Sequence, residues 1–258
     1  MKKAISRIWL FLILIFLYAP IIVLIIYSFN SSKTTGHWTG FSLNWYRQLA
    51  RDRNIMNALV TTVEVAVLAS FISTIIGTIA AVALHGSGAF SKRFLLGTAY
   101  LPMLNPDIVT GVSLMILFGS IGLSLGFGTM MLSHISFCVP YVILSVLPKL
   151  YGINQSTFEA ALDLGSSRFN AYRKVVLPEI FPGIISGFAI SMTLSIDDFM
   201  ISYFNTGGGV KNLSILIYGS TRTGVKPVYN ALSAIMFLAV LIVLVIINVR
   251  KLKASGEE

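Results

Sequence analysis

Apolar residues in this chain fall into six long runs separated by polar stretches, at roughly 8–29, 58–84, 94–118, 127–147, 183–204 and 231–249. An α-helix rises ~1.5 Å per residue and the hydrocarbon core of a bilayer is ~30 Å thick, so about 20 apolar residues cross it. Backbone inside lipid must satisfy its own hydrogen bonds, and the runs lack the alternation of a barrel strand, so helices are the expected solution. The pattern predicts an all-α, polytopic membrane protein: six transmembrane helices forming a single transmembrane domain over 1–258, with both termini on one side. The first run follows Met1-Lys2-Lys3 but carries Pro20 and lacks a small-residue cleavage site, so it is expected to remain as a span rather than act as a leader.

Composition agrees and narrows the class. Of 258 residues, 55% are apolar and 11% charged, against about a quarter charged in an ordinary soluble domain. The formal net charge of +9 does not point to nucleic acid, because the Lys and Arg residues cluster at the ends of the apolar runs, where they set membrane orientation. With both termini inside, the inner segments hold Lys2, Lys3, Arg7, Lys92, Arg93, Lys149, Arg168, Arg173, Lys174, Arg250, Lys251 and Lys253, and the outer segments hold Lys33, Arg47, Arg51, Arg53, Lys211, Arg222 and Lys226. That excess predicts that both termini face the cytoplasm. The lone cysteine, Cys138, lies within an apolar run, which leaves no intrachain disulfide.

Two connections are long enough to carry structure. In the outer loop 30–57, Leu43, Trp45, Tyr46 and Leu49 share one helical face, which predicts a short helix at the membrane interface. The inner loop 148–182 has Ser156 and Glu159 at capping-box spacing, Gly165 placed to end a helix in a left-handed turn, and Ser166 or Ser167 placed to start another. Pro178 and Pro182 punctuate the approach to the fifth span. The expectation is two short helices set at an angle outside the bilayer, a pattern that an ordinary amphipathic connector shares. Glu159-Ala160-Ala161, Gly165 six residues after the glutamate, and Leu177-Pro178 further on resemble the EAA loop of permease subunits of bacterial ABC importers. The resemblance implies a type I, MetI-like architecture. In it Glu159, Ala160, Ala161 and Gly165 dock this loop into a separate ATPase, the partner that binds ATP and Mg. The chain itself has no phosphate-binding loop; Gly86-Ser87-Gly88 lacks the register and reads as a turn. No catalytic or metal-ligating group is expected in the chain.

Ionisable groups inside a span are costly and therefore point to function. Asp107 follows Asn105-Pro106 in the third run, Asp197 and Asp198 sit together in the fifth, and Glu64 lies early in the second. Counting ~1.5 Å per residue along straight helices puts Asp107 ~20 Å, Asp197 ~21 Å and Glu64 ~21 Å from the inner surface. That is one acidic level in the outer half of the membrane. An acidic ring favours cations. Adjacent residues point ~100° apart on a helix, so one of Asp197 and Asp198 faces the path while the other caps a break or meets a neighbour. Glu64 and Asp107 also have purely structural readings, as does the Asp pair. His134 has no second ligand nearby and reads as a packing histidine bonded to a neighbouring span.

Tyr18-Ala19-Pro20, Ser28-Phe29-Asn30-Ser31-Ser32, Asn105-Pro106-Asp107-Ile108-Val109 and Ser195-Ile196-Asp197-Asp198-Phe199 with Thr206-Gly207 downstream resemble permease subunits of spermidine/putrescine importers, along nearly the whole chain. Glu64 belongs to none of these runs. The resemblance implies a complex with a homologous PotB-type permease, two copies of a PotA-type ATPase and an extracytoplasmic polyamine-binding protein, all assembled in a lipid bilayer. A polyamine crossing the membrane exchanges hydration for carboxylates and aromatic faces. Asp107, Asp197 and Asp198 are expected to supply the charge, Ser195 a hydroxyl, and Trp45 and Tyr46 aromatic faces near the outer mouth or an interfacial anchor. Two alternatives stay open at this point. One is an importer of thiamine or an iron complex on the same framework; the other is an ion-coupled carrier working alone.

Overall fold

A computed structural model describes residues 2–33, 37–224 and 226–255, with the side chains of 2–5, Gln155, 222–223, 240 and 243–255 left aside. The described chain is almost wholly helical. Its helices are α1 (Lys2–Ser28), α2 (Asn44–Arg51), α3 (Arg53–His85), α4 (Ala89–Leu104), α5 (Asp107–Ser120), α6 (Phe127–Tyr151), α7 (Gln155–Asp163) and α8 (Arg168–Ala171). A π-helical turn at Tyr172–Val176 leads into α9 (Leu177–Asp197), followed by α10 (Met200–Asn205), α11 (Leu213–Thr223) and α12 (Pro227–Ser255). Four stretches are long and apolar enough to cross a membrane: Ser6–Ser28, Arg53–His85, Phe127–Tyr151 and Arg168–Asp197. The bent pair α4–α5 counts as a fifth, and the sixth expected run lies on α12, whose described apolar stretch is Pro227–Ala239. The helix expected in the outer loop is α2, with Trp45 and Leu49 buried.

Contacts divide the chain into two compact units, residues 1–56 with 217–258, and residues 57–216. In the first, α12 packs on α1 and α2. The turn after α1 is closed by an antiparallel bridge between Asn30 and Phe41. Asn30 organises it: its amide donates to His37 O at 2.6 Å, and its carbonyl takes the Trp45 indole N–H at 2.6 Å.

The second unit is built on α6 and α9, which lie against one another. Val142, Val146 and Leu150 of α6 meet Ile180 of α9 and Ala81 and Leu84 of α3 in one buried cluster. Without a hydrophobic drive between helices in lipid, close packing of small residues holds such pairs together. Gly183 shows the tolerance: a Cβ there would sit 2.9 Å from Ser145 O and 3.3 Å from Val146 Cα.

Three expected boundaries move, each for a backbone reason. The third run, expected as one helix over 94–118, is two helices bent by 108°. Asn105 (ψ 140) is forced extended before Pro106, and Pro106 (ψ 139) is extended too, so the helix stops and restarts at Asp107. The fifth run, expected over 183–204, breaks at Asp198 (ψ 128). At its other end it reaches back to Arg168, because the second short helix expected in the loop is continuous with it. Pro178, expected to punctuate, is absorbed by the π turn, in which Leu177 N–H bonds back five residues to Tyr172 O and the widened turn makes room for the proline ring.

Gly183→Val is expected to lower the thermal midpoint of the purified protein, at an overpacking cost of about 1–3 kcal/mol. Gly88→Ala, where an added Cβ meets nothing within 4 Å, is expected to leave the midpoint unchanged.

Candidate functional site

Both helix breaks of the second unit open onto one cavity. It has a volume of about 340 Å³ and is lined by Asp107, Phe137, Tyr141, Thr193, Leu194, Asp197, Asp198, Phe199, Met200 and Ile201. Asp107 arrives from the first turn of α5, immediately after the Pro106 break. Asp197 is the last residue of α9 and Asp198 the first beyond it. Phe137 and Tyr141 stand one turn apart on α6 and supply aromatic wall. Two larger cavities, of about 460 and 480 Å³, lie around the π turn and are lined by no carboxylate. Acidity therefore singles out the smaller one.

The gathering of Asp107, Asp197 and Asp198 does not come about as the depth count supposed. Straight spans were the premise of that count, and α4 and α5 are bent by 108°. The breaks themselves bring the three carboxylates together. Glu64 is exposed on α3 and does not line the cavity.

The two adjacent aspartates have different surroundings. Asp197 is exposed. The Asp198 side chain is 5% exposed and fully engaged. Its Oδ1 accepts from Ile201 N–H at 3.1 Å, and its Oδ2 accepts from Ser202 N–H at 2.7 Å and from the Ser202 hydroxyl at 2.8 Å. Asp198 thus caps α10, satisfying backbone donors that the break would otherwise leave bare. His134 lies behind it, with Nε2 3.4 Å from Oδ2.

Ser195 departs from its expected place on the path. It is buried and bonded to His134 Nδ1 at 2.6 Å, and it does not line the cavity. Trp45 and Tyr46 belong to the first unit. Trp45 is buried with its N–H given to Asn30, and the Tyr46 hydroxyl bonds Ser28 Oγ at 2.6 Å with its ring against Phe29. Burial closes the Trp45 face to a solute, so these rings fasten α2 to the turn after α1. Ser202, Asn212, Phe137 and Tyr141 were not singled out from sequence. Ser202 does stand four residues after Asp198, the spacing that aligns side chains on one helix face.

The loop between α6 and α9 carries α7, which packs inward through Phe158 and exposes its opposite face. Its cap is Asn154, not the expected Ser156–Glu159 box: Asn154 is extended (ψ 110), and its Oδ1 takes the Ser156 N–H at 3.1 Å and the Ser156 hydroxyl at 2.7 Å. Glu159 is thereby left exposed and free of a capping duty. The other end forms as expected. Gly165 has φ +81, with Gly165 N–H to Leu162 O at 2.9 Å and Ser166 N–H to Ala161 O at 3.1 Å, the paired bonds of a glycine-closed helix end. Ala160 and Gly165 are exposed beside Leu164, which is 89% exposed, and Ala161 is half-buried. Phe158 turns inward onto Tyr172, ring centroids 5.0 Å apart.

An acidic cavity between broken apolar helices, with a capped helix on the connecting loop, fits a membrane transport permease. The chain belongs to the family of binding-protein-dependent transport system inner membrane components, whose pattern matches residues 73–251. It is 38% identical over 246 residues to the spermidine/putrescine transport system permease protein PotC of Shigella flexneri, covering 94% of this chain and 93% of that protein. It is 40% identical over 237 residues to the putrescine transport system permease protein PotI of Escherichia coli (strain K12), covering 88% and 84%. Its fold is that of a chain from a bacterial ABC transporter involved in the import of the acidic polysaccharide alginate, with TM-score 0.74, 14% identity and coverage of 97% and 95%.

Loss of the Asn154 cap costs about 1 kcal/mol of local helix stability. Asn154→Ala is therefore expected to speed hydrogen exchange of the first α7 amides roughly fivefold, whereas Ser156→Ala leaves them nearly unchanged; equal effects of the two would return the cap to Ser156.

Proposed function

We propose that this chain is a translocating permease subunit of an ATP-driven importer of polyamines such as spermidine and putrescine. The observation that carries the reading is the cavity in which Asp107 and Asp197 meet the aromatic walls of Phe137 and Tyr141. A polyamine carries several ammonium groups at neutral pH. Fixed carboxylates replace part of their hydration, and aromatic faces stabilise a cation without holding it too tightly to leave. The likeness to polyamine permeases over nearly the full chain supports the same substrate class. An anionic solute would meet two exposed carboxylates in this cavity and be repelled.

The permease reading includes partners. A homologous PotB-type permease completes the pathway, two copies of a PotA-type ATPase bind ATP and Mg, and an extracytoplasmic binding protein delivers the polyamine. Both termini and the α7 loop then face the cytoplasm, in keeping with the excess of Lys and Arg on that side. Helix α7 is the coupling element. Ala160, Leu164 and Gly165 form an exposed tip suited to a cleft, and Glu159 and Asp163, both exposed beside it, stand ready to pair with basic groups of the ATPase. Phe158 against Tyr172 links the tip to the π turn at the base of α9, whose far end carries Asp197. Closure of the ATPases thereby tilts α9 and opens or closes the cavity.

Two measurements test these roles separately. In the assembled transporter, Asp107→Asn and Asp197→Asn are each expected to reduce uptake of radiolabelled spermidine roughly tenfold or more, since a charge-assisted hydrogen bond is worth about 1.5–3 kcal/mol, without changing the amount of complex in the membrane. Undiminished uptake in both removes the acidic path. Leu164→Asp is expected to abolish co-purification of the ATPase while leaving the permease inserted; normal co-purification and import would move the docking surface away from α7.

A further inference from the structure

Behind the cavity lies a closed network of polar groups that the transport reading leaves without a role. His134, Ser195, Ser202 and Asn212 are each at most 2% exposed, in the middle of an apolar protein. Polar groups buried in lipid-spanning structure are expensive unless every donor and acceptor is matched. The matching here can be solved from the inventory of donors and acceptors.

The Ser202 hydroxyl has one proton, and it goes to Asp198 Oδ2 at 2.8 Å, because a carboxylate oxygen can only accept. Ser202 Oγ must then accept from its other two neighbours. Asn212 Nδ2, 2.8 Å away, donates to it. His134 Nε2, also 2.8 Å away, must therefore carry a proton and donate as well. At the other ring nitrogen, Nδ1 lies 2.6 Å from Ser195 Oγ, whose hydroxyl has no other acceptor among the described residues, so Ser195 donates and Nδ1 accepts. Asn212 closes the loop by also reaching Asp198 O at 3.3 Å. One proton arrangement satisfies every member.

We infer that His134 is a positioning residue: an imidazole with its single proton on Nε2, it holds Ser202 and through it the Asp198 carboxylate, so that Asp198 fixes the helix break while Asp197 and Asp107 are the carboxylates that meet the solute. The inference deepens the polyamine reading and rests on it for the roles of Asp197 and Asp107, but not for the proton arrangement. It assigns unequal duties to two adjacent, chemically identical residues. Asp198 is an anion consumed internally by two backbone N–H groups and one hydroxyl; Asp197 is free.

Substitution at His134 separates positioning from packing. Glutamine places an amide nitrogen near Nε2 and can donate to Ser202; leucine fills similar space and cannot. In the full transporter, His134→Leu is expected to raise the half-saturating spermidine concentration roughly tenfold or more, with His134→Gln restoring it to within about threefold. Assembly and ATPase co-purification serve as the control for folding. Because His134 and Asp198 act as one unit, His134→Leu with Asp198→Asn is expected to cost no more than the worse single change. Equal defects in the Leu and Gln variants, or fully multiplicative defects in the double variant, overturn the positioning role. Independently of substrate, the full chain with His37 and His85 replaced, reconstituted in lipid with 15N-labelled histidine, is expected to show a protonated Nε2 and an unprotonated Nδ1 by solid-state NMR. A proton on Nδ1 overturns the arrangement. Should the NMR result hold while Asp107→Asn and Asp197→Asn import spermidine normally, the solute-facing duty of those two aspartates fails; should the unsubstituted transporter take up no spermidine, the polyamine reading fails; in both cases the proton arrangement stands.

Discussion

Within a bilayer, a helix that stops leaves backbone N–H groups with no water to turn to, and each such group costs several kcal/mol. This chain stops two of its helices, at Asn105-Pro106 and at Asp198-Phe199, in the unit built on α6 and α9. Each restart has an aspartate at its head. Asp107 stands in the first turn of α5, where the helix dipole favours an anion. Asp198 accepts the N–H groups of Ile201 and Ser202 directly. Finishing the backbone bonds of α10 accounts for Asp198, while Asp107, at the positive end of the α5 dipole, and Asp197 keep their carboxylates for the cavity that forms where the helices open.

That constraint also orders the rest of the unit. A carboxylate bound by its own helix end must be held still, and the buried set around His134 does so from α6, across to α9, α10 and the residue before α11. Tight α6–α9 packing, visible in the space denied to any side chain at Gly183, keeps the imidazole in reach of Ser195, and the packing of α10 on α6 brings Ser202 to its other nitrogen. With Asp198 satisfied internally, Asp197 is left exposed on the cavity side of the same peptide. Under the proposed transport cycle, force entering at α7 passes through the Phe158–Tyr172 contact to α9 and reaches this hinge at its far end.

Much of this was legible along the chain because lipid demands uninterrupted apolar length; five of the six runs coincide with long helices or with the α4–α5 pair, and the sixth begins on α12. The outer helix α2 and the Gly165 turn were legible because each depends on neighbours within a few residues. What escaped was tertiary. Pro106 signals distortion but not a 108° bend, which is set by what α4 and α5 pack against. Pro178 signals an end, yet a π turn absorbs it and the helix runs on. Ser156 and Glu159 have capping spacing, but Asn154, two residues earlier, reaches the same N–H first. The three aspartates were found from residue type, and the ~100° between Asp197 and Asp198 already implied unequal duties, but that Asp198 is the one bound at the break depends on α10 and on His134, more than sixty residues away in sequence. The same holds for Ser195, whose hydroxyl looks available in the sequence and is committed to His134 in the fold.

The central claim is a division of labour: this subunit shapes and opens an acidic passage, and the energy to move it comes from nucleotide hydrolysis in a partner. Proteoliposomes test it most directly, comparing the complete transporter with this chain alone for accumulation of labelled spermidine with ATP enclosed. Accumulation only in the complete assembly, and only with hydrolysable ATP, is the result expected. Accumulation by this polypeptide alone, or by the assembly with a non-hydrolysable analogue, would contradict it.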